Sequence, residues 1–455
     1  MKRLLFSVSG ARGIIGEGLD PVVFTTLAAH FGLWCGRGRI VVGRDSRVSG
    51  EMASAAVTAG LLGVGCDVVD LGIVATPTVE VAVRHLEAKG GIQISASHNP
   101  EQWNALKLLS SRGIFLTEKE GASLKSRIDS GPPVFSPWNS LGTRSERNDL
   151  TQVHIDRVLS FSGLDAERIR SRGMIAAVDC VAGAGGAGAR QLLDRLGVSA
   201  VWIHAEPTGR FPRNPEPLAE HLQELSQAVR AAKADIGFAL DPDADRVAVV
   251  DETGRPIGEE STLAGVIDSF LPDLRSDVVV NASTTMAIDD IAARHGVRVH
   301  RTPVGEVHVT EKMLAIGARI GGEGNGGIIV PEVNPGRDAF LGMALWLSAM
   351  ARQNAKVSEL AARIPATVMR KEKIDAKDVD WNRAVAELRK GFPAARAETA
   401  DGLKLLFEDG WVHVRKSNTE PIVRLLAEAR TADRVEDLVR RTKGFVESAR
   451  AARAT

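Results

Sequence analysis

Residues 90–100 read GGIQISASHNP, and the way this run ends decides how the rest of the chain is organised. The apolar segment Ile92 to Ile94 leaves a glycine pair and closes in small residues, the pattern of a strand coming out of a buried sheet. Pro100 blocks an immediate helix, because its ring fixes φ and pushes Asn99 toward extended conformations. The Ser97 hydroxyl is therefore expected on a tight loop at a strand end, where a reacting group can approach it. Asn99 and His98 can bond that loop or a ligand, and Lys107, ten residues after the serine, adds a mobile positive charge. A serine beside a histidine is most often a turn, so the weight of this reading rests on the other segments.

Around that loop the chain alternates strands and helices. LLFSVS is a short strand, followed by SGARGIIG, where glycines around Arg12 predict a close turn that aims the guanidinium at an anion or carboxylate. RIVVGRDSRVSG enters a charged loop with Arg44, Asp45 and Arg47, and CDVVDLG repeats the strand signal. This pattern predicts an α/β layered domain with a parallel or mixed sheet over 1–150, closed by the Pro- and Ser-rich stretch SGPPVFSPWNS. A second α/β unit covers 151–252 and a third 253–365, ending in DAFLGMALWLSAM, a helix apolar on most faces and so read as core. The last piece, 366–455, changes character: Asp409 and Gly410 sit between two strands as a hairpin turn, and an amphipathic helix closes the chain.

The 455 residues suit three or four domains, and 44% hydrophobic content supplies several cores. Lys plus Arg equals Asp plus Glu at 57 each, which removes a general electrostatic case for nucleic acid or an anionic membrane. The start, MKRLLFSVSGARG, is too short in apolar residues for a signal peptide, and no stretch has the length of a membrane span. Cys35, Cys66 and Cys180 form no CxxC pair, so buried free thiols in a reducing cytoplasm are expected.

Three further segments carry chemistry. DPDADR places Asp241, Asp243 and Asp245 on a turn between strands, where they repel one another unless a cation sits among them. Aspartate oxygens suit Mg²⁺. A calcium loop is the competing reading, with Glu252 at its twelfth position, but Arg246 stands where that loop needs glycine. GGEGNGG offers Glu323 and Asn325 on a glycine-rich turn, a carboxylate and an amide that can bind neighbouring sugar hydroxyls. RKSNTEPIVR packs Arg415, Ser417, Asn418, Thr419 and Arg424 into ten residues, the donor set of a phosphate cradle. The rival is VAGAGGAG: Gly183, Gly185 and Gly188 have dinucleotide spacing, and the next strand ends in Glu206.

SASHNP, DPDADR, GEGNG and RKSNTEP, in that order along the chain, resemble the α-D-phosphohexomutases, and GARG, VGRDSR and FPRNPEP (211–217) match as well. The resemblance implies three similar mixed-sheet α/β domains plus a smaller C-terminal α+β domain around a central cleft. It makes the glycine turn the family's own rather than a dinucleotide site. It implies that phosphorylated Ser97 exchanges its phosphoryl group with a hexose 6- or 1-phosphate through a 1,6-bisphosphate. Ser97, Asp241, Asp243 and Asp245 would hold Mg²⁺, while Arg12 and Arg246 add positive charge and Lys107 or His98 moves the hydroxyl proton. Glu323 and Asn325 would hold the sugar, and Arg415, Ser417, Asn418, Thr419 and Arg424 the non-reacting phosphate. Asn325, Gly327 and Ala105 stand where many members have Ser, His and Gly. ASHNPEQWNALK and GGEGNGG look most like the phosphoglucosamine mutase branch, with phosphomannomutase/phosphoglucomutase the close alternative. From other classes, a non-catalytic sugar-phosphate binder and an NAD-dependent enzyme stay in play.

Overall fold

The computed structural model describes residues 5–7, 10–377, 379–416 and 422–450. The first sheet has seven strands: β1 (Leu5–Ser7), β2 (Gly10–Ile14), β3 (Gly38–Arg44), β4 (Cys66–Ile73), β5 (Gly90–Ile94), β6 (Trp103–Ser110) and β7 (Arg144–Glu146). They lie in the order β1-β2-β6-β5-β3-β4-β7, with β5, β3, β4 and β7 parallel and the β6 side antiparallel. Because β5 and β6 are antiparallel neighbours, the loop after Ile94 turns straight back, and Lys107 returns to lie opposite Gln93. GARG is not the turn its glycines predict. It is strand β2, because β6 offers it a ladder of hydrogen bonds, with Gly10 opposite Lys107 and Arg12 opposite Ala105. Alternation then puts Arg12, Ala105 and Lys107 on one face of the sheet. Gly10 has φ of 139°, and a Cβ there would sit 1.7 Å from the Leu106 carbonyl oxygen, so only glycine fits this close pairing.

The second sheet is β8 (Ile175–Asp179), β9 (Ser199–Ile203), β10 (Ile236–Leu240) and β11 (Val247–Val250), ordered β11-β10-β8-β9. The third is β12 (Val278–Asn281), β13 (Val299–Thr302), β14 (Ile320–Glu323) and β15 (Gly327–Ile329), ordered β13-β12-β14-β15. Their central strands IGFAL, IAAVD and VVVN are near-continuous apolar runs, as expected where both faces of a sheet are covered. One apolar core joins these two layers: Val178 and Leu240 belong to it together with Val280, Ile320 and the helix Ala339–Gln353. That helix is buried from Ala339 to Ala351, as its all-round apolar sequence predicts.

The fourth sheet is antiparallel: β16 (Val368–Asp375), β17 (Arg396–Glu398), β18 (Leu403–Leu406), β19 (Gly410–Lys416) and β20 (Ile422–Ala429), ordered β16-β20-β19-β18-β17. The helix Ala432–Ser448, capped by the Thr431 side chain on Arg434 N, covers its inner face, and its core is separate from the others. The stretch 131–143 lies largely at the surface and leads into β7 of the first sheet. The three cysteines are free thiols. Among the described residues no helix is long and apolar enough to cross a membrane.

Candidate active site

Ser97 sits two residues past the sequence Ile94–Ser95 with φ of 51°, a left-handed conformation that a non-glycine residue holds only under constraint. The constraint is visible. Its backbone N–H donates to Ser95 Oγ at 2.9 Å, and buried Arg47 donates to four carbonyls around the loop: Ser97 (2.7 Å), Asn99 (2.7 Å), Pro100 (2.6 Å) and Trp103 (3.1 Å). Asp45 anchors that guanidinium in turn at 3.0 Å. Arg47 was legible only as part of a charged loop; its work is to satisfy carbonyls that a strand-end turn leaves unpaired. Arg12 donates to Asn99 Oδ1 at 2.9 Å, tying β2 to the same loop. The serine hydroxyl donates to Asp241 Oδ2 at 3.1 Å and lies 3.4 Å from His98 Nδ1.

Asp241, Asp243 and Asp245 lie on the turn from β10 to β11, all fully buried. The repulsion expected among them is met first by the protein's own cations. Lys107 Nζ donates to Asp243 Oδ2 (2.5 Å) and Asp245 Oδ2 (3.2 Å), Arg337 Nη2 to Asp245 Oδ2 (2.7 Å), and Arg246 Nε is 3.5 Å from Asp245 Oδ1. Thr76, at the start of a first-domain helix, donates from its hydroxyl to Asp243 Oδ2 and from its N–H to the Asp243 carbonyl at 2.9 Å. Burial, then Asp245 and Asp243, pushes the Asp241 carboxyl well above the usual range. Burial acts on Asp245 too, but Arg337, Lys107 and Arg246 outweigh it and hold that carboxyl low. The Lys107 ammonium, opposed by burial, is held above its ordinary pKa by Asp243 and Asp245. Burial in the cleft, with Arg246 and Arg12 beside it, keeps His98 well below its ordinary pKa.

The charge balance alone therefore does not require a metal; the oxygen inventory favours one. Oδ1 of Asp243 and Oδ1 of Asp245 are buried without a hydrogen-bond partner, while their Oδ2 atoms are engaged. A carboxylate oxygen from each of the three aspartates lies within 4.8 Å of the others. Orphaned anionic oxygens on three converging carboxylates fit a hard divalent cation, which takes oxygen ligands.

Glu323 ends β14 and faces the same centre. Its Oε2 accepts from Arg337 Nη1 at 2.7 Å, its Oε1 from Asn281 Nδ2 at 2.7 Å and Gly305 N at 3.1 Å. Asn325 is at the tip of the β14–β15 turn, its Oδ1 accepting from Gly327 N at 3.2 Å. A Cβ at Gly327 would lie 2.2 Å from Arg337 Cδ, so the arginine stem fills the space a side chain there would take. Arg415 on β19 and Arg424 on β20 are register partners, two like charges face to face across a ladder. Burial lowers the Arg415 pKa, against the pull of Asp401. Ser417, Asn418 and Thr419 lie outside the described residues.

The structure thus brings Ser97, His98, Lys107, Arg12, Arg246 and the three aspartates together. It adds Arg47, Thr76, Asn281, Glu306 and Arg337, which the sequence reading did not single out as site residues. These are lone polar residues at strand ends and helix starts, with no spacing to mark them; only the GRD before an all-buried helix hinted at Arg337. The 211–217 stretch lies over the serine loop: Glu216 Oε1 is 4.0 Å from His98 Nε2 and 3.9 Å from Arg246 Nη1, and Arg213 Nε donates to Asp179 at 2.5 Å. The glycine turn is packed against the protein itself. A Cβ at Gly183 would lie 2.6 Å from the Pro242 carbonyl oxygen, because the aspartate loop packs onto it.

A serine, a buried carboxylate cluster and the cations that meet it are the constellation of an enzyme of phosphoryl transfer. Family models described as phosphoglucomutase/phosphomannomutase match the chain as α/β/α domain I (residues 3–133), domain II (152–254), domain III (261–368) and the C-terminal domain (354–443). The chain is 38% identical to "Phosphoglucomutase/phosphomannomutase" of Thermococcus kodakarensis over 95% of its own length and 96% of the relative's. It is 35% identical to "Probable phosphoglucosamine mutase" of Methanopyrus kandleri over 95% of each chain. The crystal structure of a phosphoglucomutase/phosphomannomutase family protein from Burkholderia thailandensis superposes with a TM-score of 0.84 at 26% identity, over 98% of this chain and 97% of that one. The chain belongs to the phosphoglucomutase/phosphomannomutase family, the α-D-phosphohexomutases.

Proposed function

We propose that this chain interconverts the 6- and 1-phosphates of a hexose through a phosphoserine at Ser97, with glucosamine 6-phosphate as its first substrate. The observation that carries the reading is the Ser97 hydroxyl bonded to Asp241 inside a buried cluster of carboxylates with orphaned oxygens. In the first half-reaction the P–O bond to Ser97 breaks and a new one forms to the free sugar hydroxyl, giving a 1,6-bisphosphate. The bisphosphate turns over in the cleft, and Ser97 Oγ takes back the other phosphoryl group, so the protein ends as it began. Neutral His98, 3.4 Å from Ser97 Oγ, is the group suited to accept a hydroxyl proton, whereas Lys107 is held charged between two aspartates and suits electrostatic support. Ser97 and the three aspartates would hold Mg²⁺, which supplies charge neutralisation at the transferring oxygens. Arg12 and Arg246 add positive charge there. Glu323 and Asn325 would hold the sugar, and Arg415, Ser417, Asn418, Thr419 and Arg424 the phosphate that is not reacting. Domain boundaries near 150, 252 and 365 and a cytoplasmic location belong to the same reading.

The branch rests on likeness to glucosamine-named relatives, and the glucose and mannose phosphates differ from glucosamine phosphate mainly at C2. Such differences are worth about one to a few kcal/mol. The deciding measurement is kcat/KM for glucosamine, glucose and mannose 6-phosphates side by side, with glucose 1,6-bisphosphate as primer. A glucosamine value above the other two is expected, and a higher mannose or glucose value moves the chain to the other branch.

A further inference from the structure

We propose that Arg337 is a positioning residue that locks the aspartate loop of the second domain to the sugar loop of the third; the proposal rests on the mutase reading of this site. The Arg337 guanidinium is buried and splits across three carboxylates. Nε donates to Glu306 Oε2 at 2.9 Å, Nη1 to Glu323 Oε2 at 2.7 Å and Nη2 to Asp245 Oδ2 at 2.7 Å. A planar, rigid fork of this kind fixes relative orientation as well as charge, which an ammonium on a flexible stem does not.

Its base is fixed from three domains. The neighbouring Asp338 caps the buried helix through Leu341 N and is held by His154 Nε2 at 2.7 Å, whose Nδ1 in turn meets Thr78 Oγ1 at 2.9 Å. Preceding Gly336 runs against Glu80 and Glu306, where a Cβ would lie 2.1 and 2.7 Å from their carboxylate oxygens. Gly327 of the sugar loop leaves the space that the Arg337 stem occupies.

The consequence is a division of labour within each carboxylate. Arg337, together with Lys107, holds Asp245 Oδ2, while Oδ1 has no hydrogen-bond partner and lies 3.5 Å from Arg246 Nε. Arg337 also holds Glu323 Oε2 while Asn281 and Gly305 hold Oε1, so neither carboxylate can rotate. A substrate that presents its C1 and C6 ends in turn needs one unvarying distance between the transferring phosphoryl group and the sugar grip. Among the described residues, Arg337 is the side chain that donates both to Asp245 and to Glu323. It stabilises that distance at the cost of placing a positive charge against a cation ligand.

These two roles have opposite signs, and that makes the proposal testable. In Arg337→Gln, loss of the guanidinium leaves Asp245 Oδ2 to Lys107 alone and removes a charge that repels a cation. Mn²⁺, titrated into the full-length protein by electron paramagnetic resonance, should then bind several-fold tighter. Turnover of the best of the three hexose 6-phosphates should fall at least 100-fold in kcat/KM, mostly in kcat. Arg337→Lys keeps the charge but not the fork, so Mn²⁺ affinity should stay within about twofold while kcat/KM still falls 10-fold or more. Mn²⁺ affinity unchanged or weaker in Arg337→Gln, or wild-type turnover in either variant, overturns the proposal. If Arg337→Gln does not fold, Arg337→Lys decides alone by the same readouts. A wild-type chain inactive on all three sugars sinks the mutase reading but leaves the Mn²⁺ comparison to test the coupling.

Discussion

Around Asp241, Asp243 and Asp245 the carboxylates meet buried cations, whereas on the fourth sheet Arg415 and Arg424 stand opposite each other in the ladder, with Asp401 acting on Arg415. The first cluster is closed from three domains at once, by Lys107 and Thr76 from the first, Arg246 from the second and Arg337 from the third. The fourth domain has its own apolar core and touches the third across a polar seam. There Lys404 Nζ donates to the Ala282 carbonyl at 2.5 Å, Val304 N to Asp401 at 3.0 Å, and Met286 N to Glu428 at 2.7 Å. Preorganised charge serves chemistry, because it needs no rearrangement when the transition state forms. On the proposed reading, the arginines of the separately packed fourth domain would bind the phosphate that is not reacting. The comparison predicts that breaking the ion pairs of the first cluster strikes turnover and stability together, and damage in the fourth domain strikes binding.

The largest expected effect is at the junction of loop and cluster. Ser97→Ala should abolish turnover, by the loss of the phosphoryl carrier, while sugar-phosphate binding and thermal stability stay near wild type. Residual phosphate exchange near the wild-type rate in a coupled assay would remove the serine from the mechanism.

Asp243→Asn sharpens the comparison further. Carboxylate repulsion alone predicts a metal-free protein that is equally or more stable, since one negative charge leaves. The structure reverses that sign: Asp243 Oδ2 is the partner of buried Lys107 and Thr76, and breaking a buried pair costs about 3–5 kcal/mol. The expected result is turnover reduced at least 100-fold and a lower melting temperature in the presence of chelator. A melting temperature that holds or rises would show that Lys107 is satisfied by Asp245 alone.

Arg415→Ala should act in the other manner, raising the KM for the hexose phosphate about 10- to 100-fold with a smaller fall in kcat and little change in melting temperature. An unchanged KM would place the phosphate grip elsewhere and break the capture half of the comparison.

The smallest effect is a pH dependence of the seam. Burial, with Arg301 adding its charge, pulls the Lys404 ammonium from its ordinary 10.5 down to about 7. Above about pH 7 the unfolded chain then holds more protons at this residue than the folded one, so stability rises with pH from 7 upward. Glu260 and Glu306, both pushed up to about 7 by burial, act in the opposite direction but only below that pH, where their protonated forms stabilise the fold. Between pH 7 and 8.5 the wild-type melting temperature should rise relative to that of Lys404→Met, the difference in slope being the contribution of this lysine. Equal slopes in both proteins would remove Lys404 from the seam's proton balance.

Much of this molecule was legible before any coordinates. GGIQISASHNP reads as strand and tight turn because apolar alternation and Pro100 leave the backbone few choices, and the three alternate aspartates of DPDADR mark themselves by spacing. The buried run DAFLGMALWLSAM announces a core helix for the same local reason. GARG misled because its glycines suggest a turn, while the deciding hydrogen bonds come from β6, some 90 residues away.

The sequence by itself determined the order of strands, turns and chemically marked loops, since these follow from φ restriction, side-chain alternation and residue type within a few positions. Only the tertiary structure decided which charges meet. Arg47 against four carbonyls, Lys107 between two aspartates and Arg337 across three carboxylates are contacts between residues 14 to 138 positions apart. Nothing in a local pattern encodes them, because Coulomb attraction and hydrogen bonding depend on distance in space, and that distance is set by how the sheets pack.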